Sequence, residues 1–208
     1  MKKTVCLLLA ATVLSFIACN EDREPIDTMY SGFMTGYTNS DGYLYLLKDD
    51  FGRQFQVVSG DEGKHKPYTL YRLVTSLAVN DNGKANLLQA VQALSYVAPQ
   101  DTIIHDSLKV RDPLMVNTYY IGGGYLNLTL AIKVKTEGTR HSLLYTYSNA
   151  AGKPLFRIYH NAYGDEPVYT KNAFVSIPLN KYSLSKNDTV LISYMSYDQD
   201  CLLKLIYK

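Results

Sequence analysis

The chain has 208 residues and nearly balanced charge, with 21 Lys and Arg against 19 Asp and Glu. Residues 1–18 contribute two lysines and no acidic residue, so the remainder is formally neutral. No run of Lys and Arg provides the clustered basic surface that nucleic-acid binding requires. Composition therefore argues against a nucleic-acid partner, and the length suffices for one medium domain or two small ones.

The first predicted element is a signal peptide over residues 1–18. Two lysines precede an apolar run from Val5 to Ala18, which is shorter than the roughly 18–20 residues needed to span a bilayer. The segment Phe16 to Cys19 resembles the lipobox of bacterial lipoproteins. We therefore predict cleavage before Cys19 and its acylation, which would anchor the protein to a membrane because several acyl chains bind stably. A plain secretory signal is the alternative.

Residues 19–36 are predicted to form a polar tether. The segment Asn20 to Pro25 is rich in charge, and such a composition cannot bury enough apolar area to fold. An acidic stretch behind the lipidated cysteine also resembles the surface-export tag of one phylum of gut-associated Gram-negative bacteria. We expect an outer-membrane lipoprotein exposed at the cell surface, with the periplasmic leaflet as the alternative.

Cysteine and tyrosine usage indicates how the folded part is stabilised. Cys6 leaves with the signal and Cys19 carries the lipid, so Cys201 remains alone and no intrachain disulfide is expected. Cys201 opens the last apolar run and is interpreted as a small core residue. The 19 tyrosines favour strands, where they either fill half-buried faces or line a ligand surface.

The first half of the folded region, residues 37–108, is predicted to be a small β-domain. Short apolar runs such as Tyr43 to Leu47 alternate with turn residues, and Asn80 to Gly83 is a strong hairpin signal. The stretch from Ala85 to Val97 suits either a strand or a helix.

The second half, residues 109–208, is predicted to be an antiparallel β-sandwich. From Leu126 to Val134 five apolar residues alternate strictly with polar or small ones, which predicts a strand with one dry and one wet face. Further strands follow near 141–148, 154–161, 168–179, 189–197 and 201–207, separated by glycine-containing turns. This spacing is typical of antiparallel sandwiches or barrels and leaves no room for βαβ units.

Two sequence segments resemble the NigD-like lipoprotein family. One runs from Asp112-Pro113 through Tyr119-Tyr120-Ile121-Gly122-Gly123-Gly124-Tyr125-Leu126-Asn127-Leu128, and the other is Asp41-Gly42-Tyr43-Leu44-Tyr45-Leu46-Leu47 followed by Asp49-Asp50. The resemblance covers essentially the whole mature chain and implies an OB-like barrel followed by a β-sandwich on a lipid anchor. It implies no catalytic residues, and the family often carries Trp where Tyr120 stands.

No motif in the sequence specifies a reaction. The triplet Gly122 to Gly124 lacks the Lys-Ser/Thr of a P-loop and precedes a strand, so a tight turn is expected. Four histidines lie in four separate segments, and the acidic pairs at Asp49 and Asp61 lie in glycine-containing turns where Asp bonds local backbone. We therefore expect no catalytic residue, no metal and no cofactor, with an enzyme acting on polysaccharide as the least favoured alternative.

The leading hypothesis is a non-enzymatic, lipid-anchored protein that binds a glycan or peptide through its β-surface. OB-like barrels present a strand face suited to such ligands. A bacteriocin-associated accessory or self-protection role, taken from the family's name, is the alternative. The candidate ligand residues are Tyr43, Tyr45, Tyr119, Tyr120 and Tyr125, and packing within the sheets is the competing interpretation.

Possible O-glycosylation sites are predicted at Thr28, Thr102 and Ser107. Each lies in an Asp-Ser/Thr-apolar triplet, and these triplets resemble the modification site of the same bacterial phylum.

Overall fold

A computed structural model of the chain describes residues 27–136 and 138–208, and these residues are built from β-structure without an α-helix. No helix in this part of the chain has the length and apolar character to cross a membrane. The predicted signal peptide, Cys19 and most of the tether lie outside the described residues. The strands are β1 (Thr28–Thr38), β2 (Leu44–Asp49), β3 (Gln54–Ser59), β4 (Leu70–Val79), β5 (Lys84–Gln92), β6 (Met115–Gly122), β7 (Tyr125–Val134), β8 (Ser142–Ala150), β9 (Lys153–Asn161), β10 (Tyr169–Pro178), β11 (Thr189–Met195) and β12 (Asp200–Ile206).

The first five strands form a closed barrel in the order β1-β2-β3-β5-β4. β1 pairs along its length with β4, and the parallel pair of β3 and β5 completes the circle. Alternate residues such as Leu47, Leu73 and Leu77 fill the interior, where they are fully or almost fully buried. The ambiguous stretch from Ala85 is a strand, because β5 finds partners on both sides in β4 and β3.

The other seven strands form two sheets that face each other. One contains β10-β7-β6 and the other contains β12-β11-β9-β8. The alternating apolar residues of β7, from Leu126 to Val134, lie in the core between the sheets together with Phe156 and Ile192. The predicted all-β class and the barrel-plus-sandwich architecture are therefore confirmed.

The observed boundaries differ from the predicted 19–36, 37–108 and 109–208 division. β1 begins at Thr28 and pairs with β4 from that residue onward. Residues 28–36, which carry no charged side chain, therefore belong to the barrel. The barrel ends at Gln92, and residues 93–114 form a connecting segment that lies against the sandwich. Residues 93–108, which the sequence predicts to be part of the barrel, belong to this connecting segment instead.

The second face of β7 is only partly wet, with Lys133 exposed at one end and Asn127 and Ala131 buried. Asn127 is 0% exposed and Ala131 is also buried, because the outer wall of the barrel covers this face of the β10-β7-β6 sheet. Aromatic contacts mark the interface, with Phe33 of β1 packed edge-on against Phe174 of β10 at a ring separation of 6.1 Å. Barrel, three-stranded sheet and four-stranded sheet are thus three successive layers.

The two long sides of the sandwich are closed to different degrees. On one side the connecting segment bridges the edges of β10 and β8: Leu94 donates its N–H to Phe174 O at 2.8 Å, and Tyr147 donates to Pro99 O at 2.8 Å. On the other side lie the edges of β6 and β12, and no backbone hydrogen bond joins these two strands in the described residues. We call this second side the open seam.

Candidate functional site

A buried ion pair lies between the barrel and the sandwich. Arg72 of β4 donates from Nη2 to Asp50 Oδ1 at 2.5 Å, and each side chain is 3% exposed. Asp50 directly follows β2, whereas its neighbour Asp49 caps the β2–β3 turn by accepting N–H bonds from Phe51 and Arg53. The turn prediction therefore holds for Asp49, and Asp50 serves the interface instead.

Three side chains in one row across the sandwich sheet complete the cluster. Ser176 of β10, Asn127 of β7 and Tyr120 of β6 are neighbours in the strand register. Asn127 accepts from Arg72 at 3.0 Å and donates to Asp50 at 2.9 Å. Ser176 accepts from Arg72 Nε at 2.9 Å and donates to Asn127 at 2.6 Å. Because every member is paired, the network fixes the orientation of the two domains.

Tyr120 and Tyr125 belong to this interface. The Tyr120 hydroxyl donates to Asp50 at 2.8 Å, and burial together with that carboxylate raises the pKa of Tyr120 above its ordinary value. The Tyr125 ring lies 4.3 Å from the Arg72 guanidinium, a cation–π geometry. Both aromatic side chains therefore contribute to domain packing.

Two residues of the glycine triplet, Gly123 and Gly124, form the hairpin turn between β6 and β7. Gly123 and Gly124 have φ values of 60° and 84°, as a type I′ turn requires. A Cβ on Gly123 would overlap the Asp50 carboxylate, whereas a Cβ on Gly124 would meet open space. The expected tight turn is present, and Gly123 additionally permits the close approach of the barrel.

A groove of about 450 Å³ occupies the open seam beside this turn. Its size falls within the range of ligand sites. Three tyrosines and one lysine are among the residues that line it, and none of the lining residues is Asp, Glu, His, Ser or Cys. The lining residues are Tyr119, Tyr120, Ile121, Gly122, Gly123, Gly124, Leu205, Ile206, Tyr207 and Lys208.

Backbone groups of both edge strands point into the open seam. Gly122 and Tyr125 close the two-residue turn as a hydrogen-bonded pair, and the direction of backbone groups alternates along a strand. Tyr119 and Ile121 therefore direct their N–H and C=O groups away from β7. A bulge between Val116 and Thr118 limits the regular edge to the residues after it.

The edge of β12 has the same character. Tyr207 bonds toward β11 through its N–H to Asp188 O and its C=O to Asn187 N. By alternation, Ile206 directs its backbone groups toward the groove, and its side chain is 51% exposed.

A second groove, of about 460 Å³, lies between the barrel and the sandwich. Its charged lining residues are Lys66 and Arg72, and Tyr71 and Tyr125 supply aromatic rings. The polar groups that complete the lining are neutral hydroxyl and amide side chains. They are Thr35, Thr69, Gln92 and Ser95.

Tyr43 and Tyr45 lie on the barrel, away from the other three predicted tyrosines. Tyr43 packs its ring directly over Gly63, where a Cβ would overlap it. Tyr45 is the extra residue of a bulge in β2, since Thr38 pairs with Leu44 and Tyr37 with Leu46. Both side chains remain nearly half exposed. Tyr119 and Tyr120 both line the first groove, but their side chains lie on opposite faces of β6, and the Tyr120 hydroxyl belongs to the domain interface. Tyr125 lies in the second groove, and Tyr43 and Tyr45 lie apart from all three.

The predicted modification positions are all exposed. Thr28 is the first residue of β1 instead of a linker residue, and Thr102 and Ser107 lie in two short 3-10 turns of the connecting segment. Cys201 is part-buried and packs against the sandwich core.

A histidine pair was not foreseen from the sequence. His141 and His160 lie 2.8 Å apart through their ring nitrogens, and Asp165 accepts from the far side of His141 at 3.0 Å. No cluster of His, Cys, Asp or Glu suited to a metal ion occurs in the described ranges.

Comparisons with solved structures identify relatives of the same architecture. A NigD-like immunity protein from Bacteroides caccae has 24% identity and a TM-score of 0.72, with 86% of this chain and 97% of that chain covered. A protein from Parabacteroides distasonis, provisionally described as toxin-related, has 18% identity and a TM-score of 0.71 over 87% and 94% of the two chains. A protein from Bacteroides fragilis, provisionally described as a lipoprotein, has 14% identity and a TM-score of 0.56 over 86% and 96%.

A comparison with functionally curated proteins finds no match. The sequence profile of the NigD-like C-terminal β-sandwich domain matches residues 96–204. That range begins within the connecting segment and ends in β12, so it contains strands of both sheets of the sandwich together with most of the segment that closes one of its sides. More than half of the chain is covered, and the chain belongs to the NigD-like family.

Proposed function

We propose that this chain is a lipid-anchored, non-enzymatic protein of the outer membrane that binds a polypeptide partner in the open seam. Its biological role in this proposal is self-protection against a protein toxin. The observation that carries the binding proposal is the contrast between the two sides of the sandwich, one closed by the connecting segment and one left with two unpaired strand edges.

Unpaired strand edges favour a polypeptide ligand. An extended chain that enters the seam can exchange backbone hydrogen bonds with Tyr119 and Ile121, a mode of recognition known as strand addition. Its side chains would then contact Leu205 and Tyr207 across the groove. The lining contains no Asp, Glu, His, Ser or Cys side chain, which supports binding over catalysis.

The descriptions of the relatives support a protein partner. The Bacteroides caccae relative is described as an immunity protein and the Parabacteroides distasonis relative as toxin-related, and a protein toxin can offer an extended segment. The Bacteroides fragilis relative supports the anchor. Eight residues separate Cys19 from β1, so an acylated Cys19 would hold the barrel within about 30 Å of the membrane.

The test selects peptides from a displayed library of random dodecamers on the purified protein and measures their affinity by calorimetry. Tyr119→Pro removes the N–H that faces the groove and leaves the β7 ladder intact, because Tyr119 does not bond to β7. Tyr119→Thr keeps that N–H and removes the ring. We expect Tyr119→Pro to weaken the selected peptides by about tenfold, equivalent to about 1.4 kcal/mol, and Tyr119→Thr to weaken them less than Tyr119→Pro.

The matched pair Ile206→Pro and Ile206→Thr separates the two edges of the seam. If Ile206→Pro is the only variant that loses affinity, the peptide pairs with β12 instead of β6, and the groove remains the binding site. Peptides that bind all four variants equally, or a library that yields no binder, would overturn the proposal.

A saccharide ligand is the second candidate, and the second groove favours it. Aromatic rings, neutral hydrogen-bonding groups and the Lys66 ammonium would suit a saccharide that carries a carboxylate, whereas the charge of Arg72 is already balanced by Asp50. A glycan array that includes oligogalacturonates, with Lys66→Ala as the variant, tests it. Retention of oligogalacturonates that is lost in Lys66→Ala would favour this candidate, and an array without retention would remove it.

A further inference from the structure

His141, His160 and Asp165 join two of the connections that cross between the sheets of the sandwich. His141 directly precedes β8, at the end of the connection from β7, and Asp165 lies in the connection from β9 to β10. His160 lies on β9 and contacts Pro113 of the connecting segment at 3.1 Å. The side chains of His141 and Asp165 are 6% and 8% exposed.

The hydrogen bonds fix the number of protons on the two rings. Pro113 O only accepts, so His160 Nδ1 carries a hydrogen, and the Asp165 carboxylate only accepts, so His141 Nε2 carries one. The 2.8 Å contact between His141 Nδ1 and His160 Nε2 needs one further hydrogen. Three N–H protons on two rings amount to one imidazolium, balanced by Asp165.

We propose that His141, His160 and Asp165 form a proton-operated clasp. The clasp holds the two crossing connections together while the rings share three protons, and it opens when acid adds a fourth. A fourth proton would place two N–H groups against each other in the His141–His160 contact and two positive rings 5.1 Å apart between centroids. The rings must then separate.

The surroundings oppose the fourth proton. Burial lowers the pKa of His160 below its ordinary value, the Pro113 carbonyl raises it, and neighbouring His141 lowers it further. Charged and titratable groups of the adjoining elements surround the clasp, and two of the cations are paired with carboxylates, Arg111 with Asp200 and Lys135 with Glu166. These groups are Arg111 and Asp112 on the connecting segment, Lys133 and Lys135 on and after β7, Arg140 before β8, Glu166 beside Asp165, Lys171 on β10 and Tyr197 after β11.

Opening of the clasp has a structural consequence beneath it. His141 lines a cavity of about 280 Å³ whose other lining residues are mainly apolar, among them Ile132, Val134 and Leu143. Separation of the rings would widen this cavity, which is already open to solvent on one side. The clasp would therefore couple external acidity to access between the two sheets.

The sign of the pH dependence follows from the lowered pKa. As pH falls through about 6.5, the unfolded chain takes up a proton at His160 before the folded chain does, so acid favours unfolding. By the proton count, the folded pair holds one proton more than two neutral unfolded rings above about pH 6.5 and one fewer than two charged rings below it. Stability is therefore greatest near pH 6.5 and is lost as pH falls further.

The experiment measures urea unfolding midpoints and the fluorescence of anilinonaphthalene sulfonate on the full chain between pH 7.5 and 4.5. We expect a falling midpoint and rising dye fluorescence below about pH 6.5. His141→Gln, which cannot titrate, should lose at least half of the midpoint shift. The exposed His105→Gln should retain the whole shift. An unchanged shift in His141→Gln would overturn the proposal.

Nitrogen-detected NMR of the unmodified protein at pH 7.5 provides a test that needs no variant. For the pair His141 and His160, the spectrum should show one ring protonated on both nitrogens and one ring with a single proton. Two neutral rings at that pH would contradict the proton count and with it the clasp.

Discussion

Asp50 and Arg72, both on the barrel, form an ion pair of 2.5 Å beneath the sandwich, and each side chain is 3% exposed. Asp50 also accepts from Tyr120 and Asn127, so residues from both family-like segments meet at one carboxylate. The two segments are about 70 residues apart in the chain, as the 70-residue separation of Asp50 and Tyr120 illustrates. The two family-like segments therefore contact each other at the interface between the domains.

Asp50→Ala should strongly destabilise the protein, because it leaves the Arg72 guanidinium buried without its counter-charge. Breaking one side of a buried pair costs about 3–5 kcal/mol. Urea unfolding measures the loss. Asp81→Ala, in an exposed turn, is the matched control and should stay within about 0.5 kcal/mol of the parent. Equal stability of the two variants would refute the assigned role of Asp50.

Gly123→Ala should destabilise more than Gly124→Ala. Both positions have positive φ, so alanine at either one pays a left-handed backbone cost of about 1–2 kcal/mol. Only a Cβ at position 123 overlaps Asp50. The difference between the two unfolding free energies therefore isolates the contact with the barrel, and identical losses would show that the contact does not matter.

Thr75→Val should stabilise the protein by about 1 kcal/mol, because the Thr75 hydroxyl is buried and has no hydrogen-bond partner in the described part of the chain. Thr146→Val is the opposite case, since Thr146 donates to Asp101 at 2.6 Å, and it should destabilise. Thermal unfolding of both variants checks the prediction. A loss of stability in Thr75→Val would indicate that the hydroxyl has a partner.

Tyr145→Phe should cost about 1–3 kcal/mol. Tyr96 and Tyr145 stack at 4.0 Å, and each hydroxyl bonds the other residue's backbone N–H and C=O. Removal of the Tyr145 hydroxyl leaves the N–H and C=O of Tyr96 without these bonds. The exposed Tyr45→Phe serves as control in chemical unfolding, and a Tyr145→Phe variant as stable as this control would contradict the account.

The sequence predicts local structure well where a pattern repeats along the strand. The alternation from Leu126 to Val134 identifies β7 and its core face, and the glycine triplet identifies the β6–β7 turn. The alternation alone predicts a solvent-exposed second face, because nothing within the strand signals that the barrel covers Asn127. Burial on that face depends on how two domains meet.

The candidate sites show the same limit. Tyr119 and Tyr120 are sequence neighbours and share the open seam, but Tyr125 turns toward Arg72 and lines a different groove. His141 and His160 are 19 residues apart. They meet because their chain neighbours Ser142 and Asn161 are paired in the β8–β9 ladder. Strand register decides such contacts, and register depends on pairing that a single sequence does not specify.

The most direct test of the central claim is amide hydrogen exchange on the protein with and without a library-selected peptide. Binding in the open seam predicts slower exchange at Tyr119 and Ile121, whose N–H groups face the groove, and unchanged exchange at Tyr43 and Tyr45. Slower exchange confined to Tyr43 and Tyr45, with Tyr119 and Ile121 unaffected, would contradict the claim.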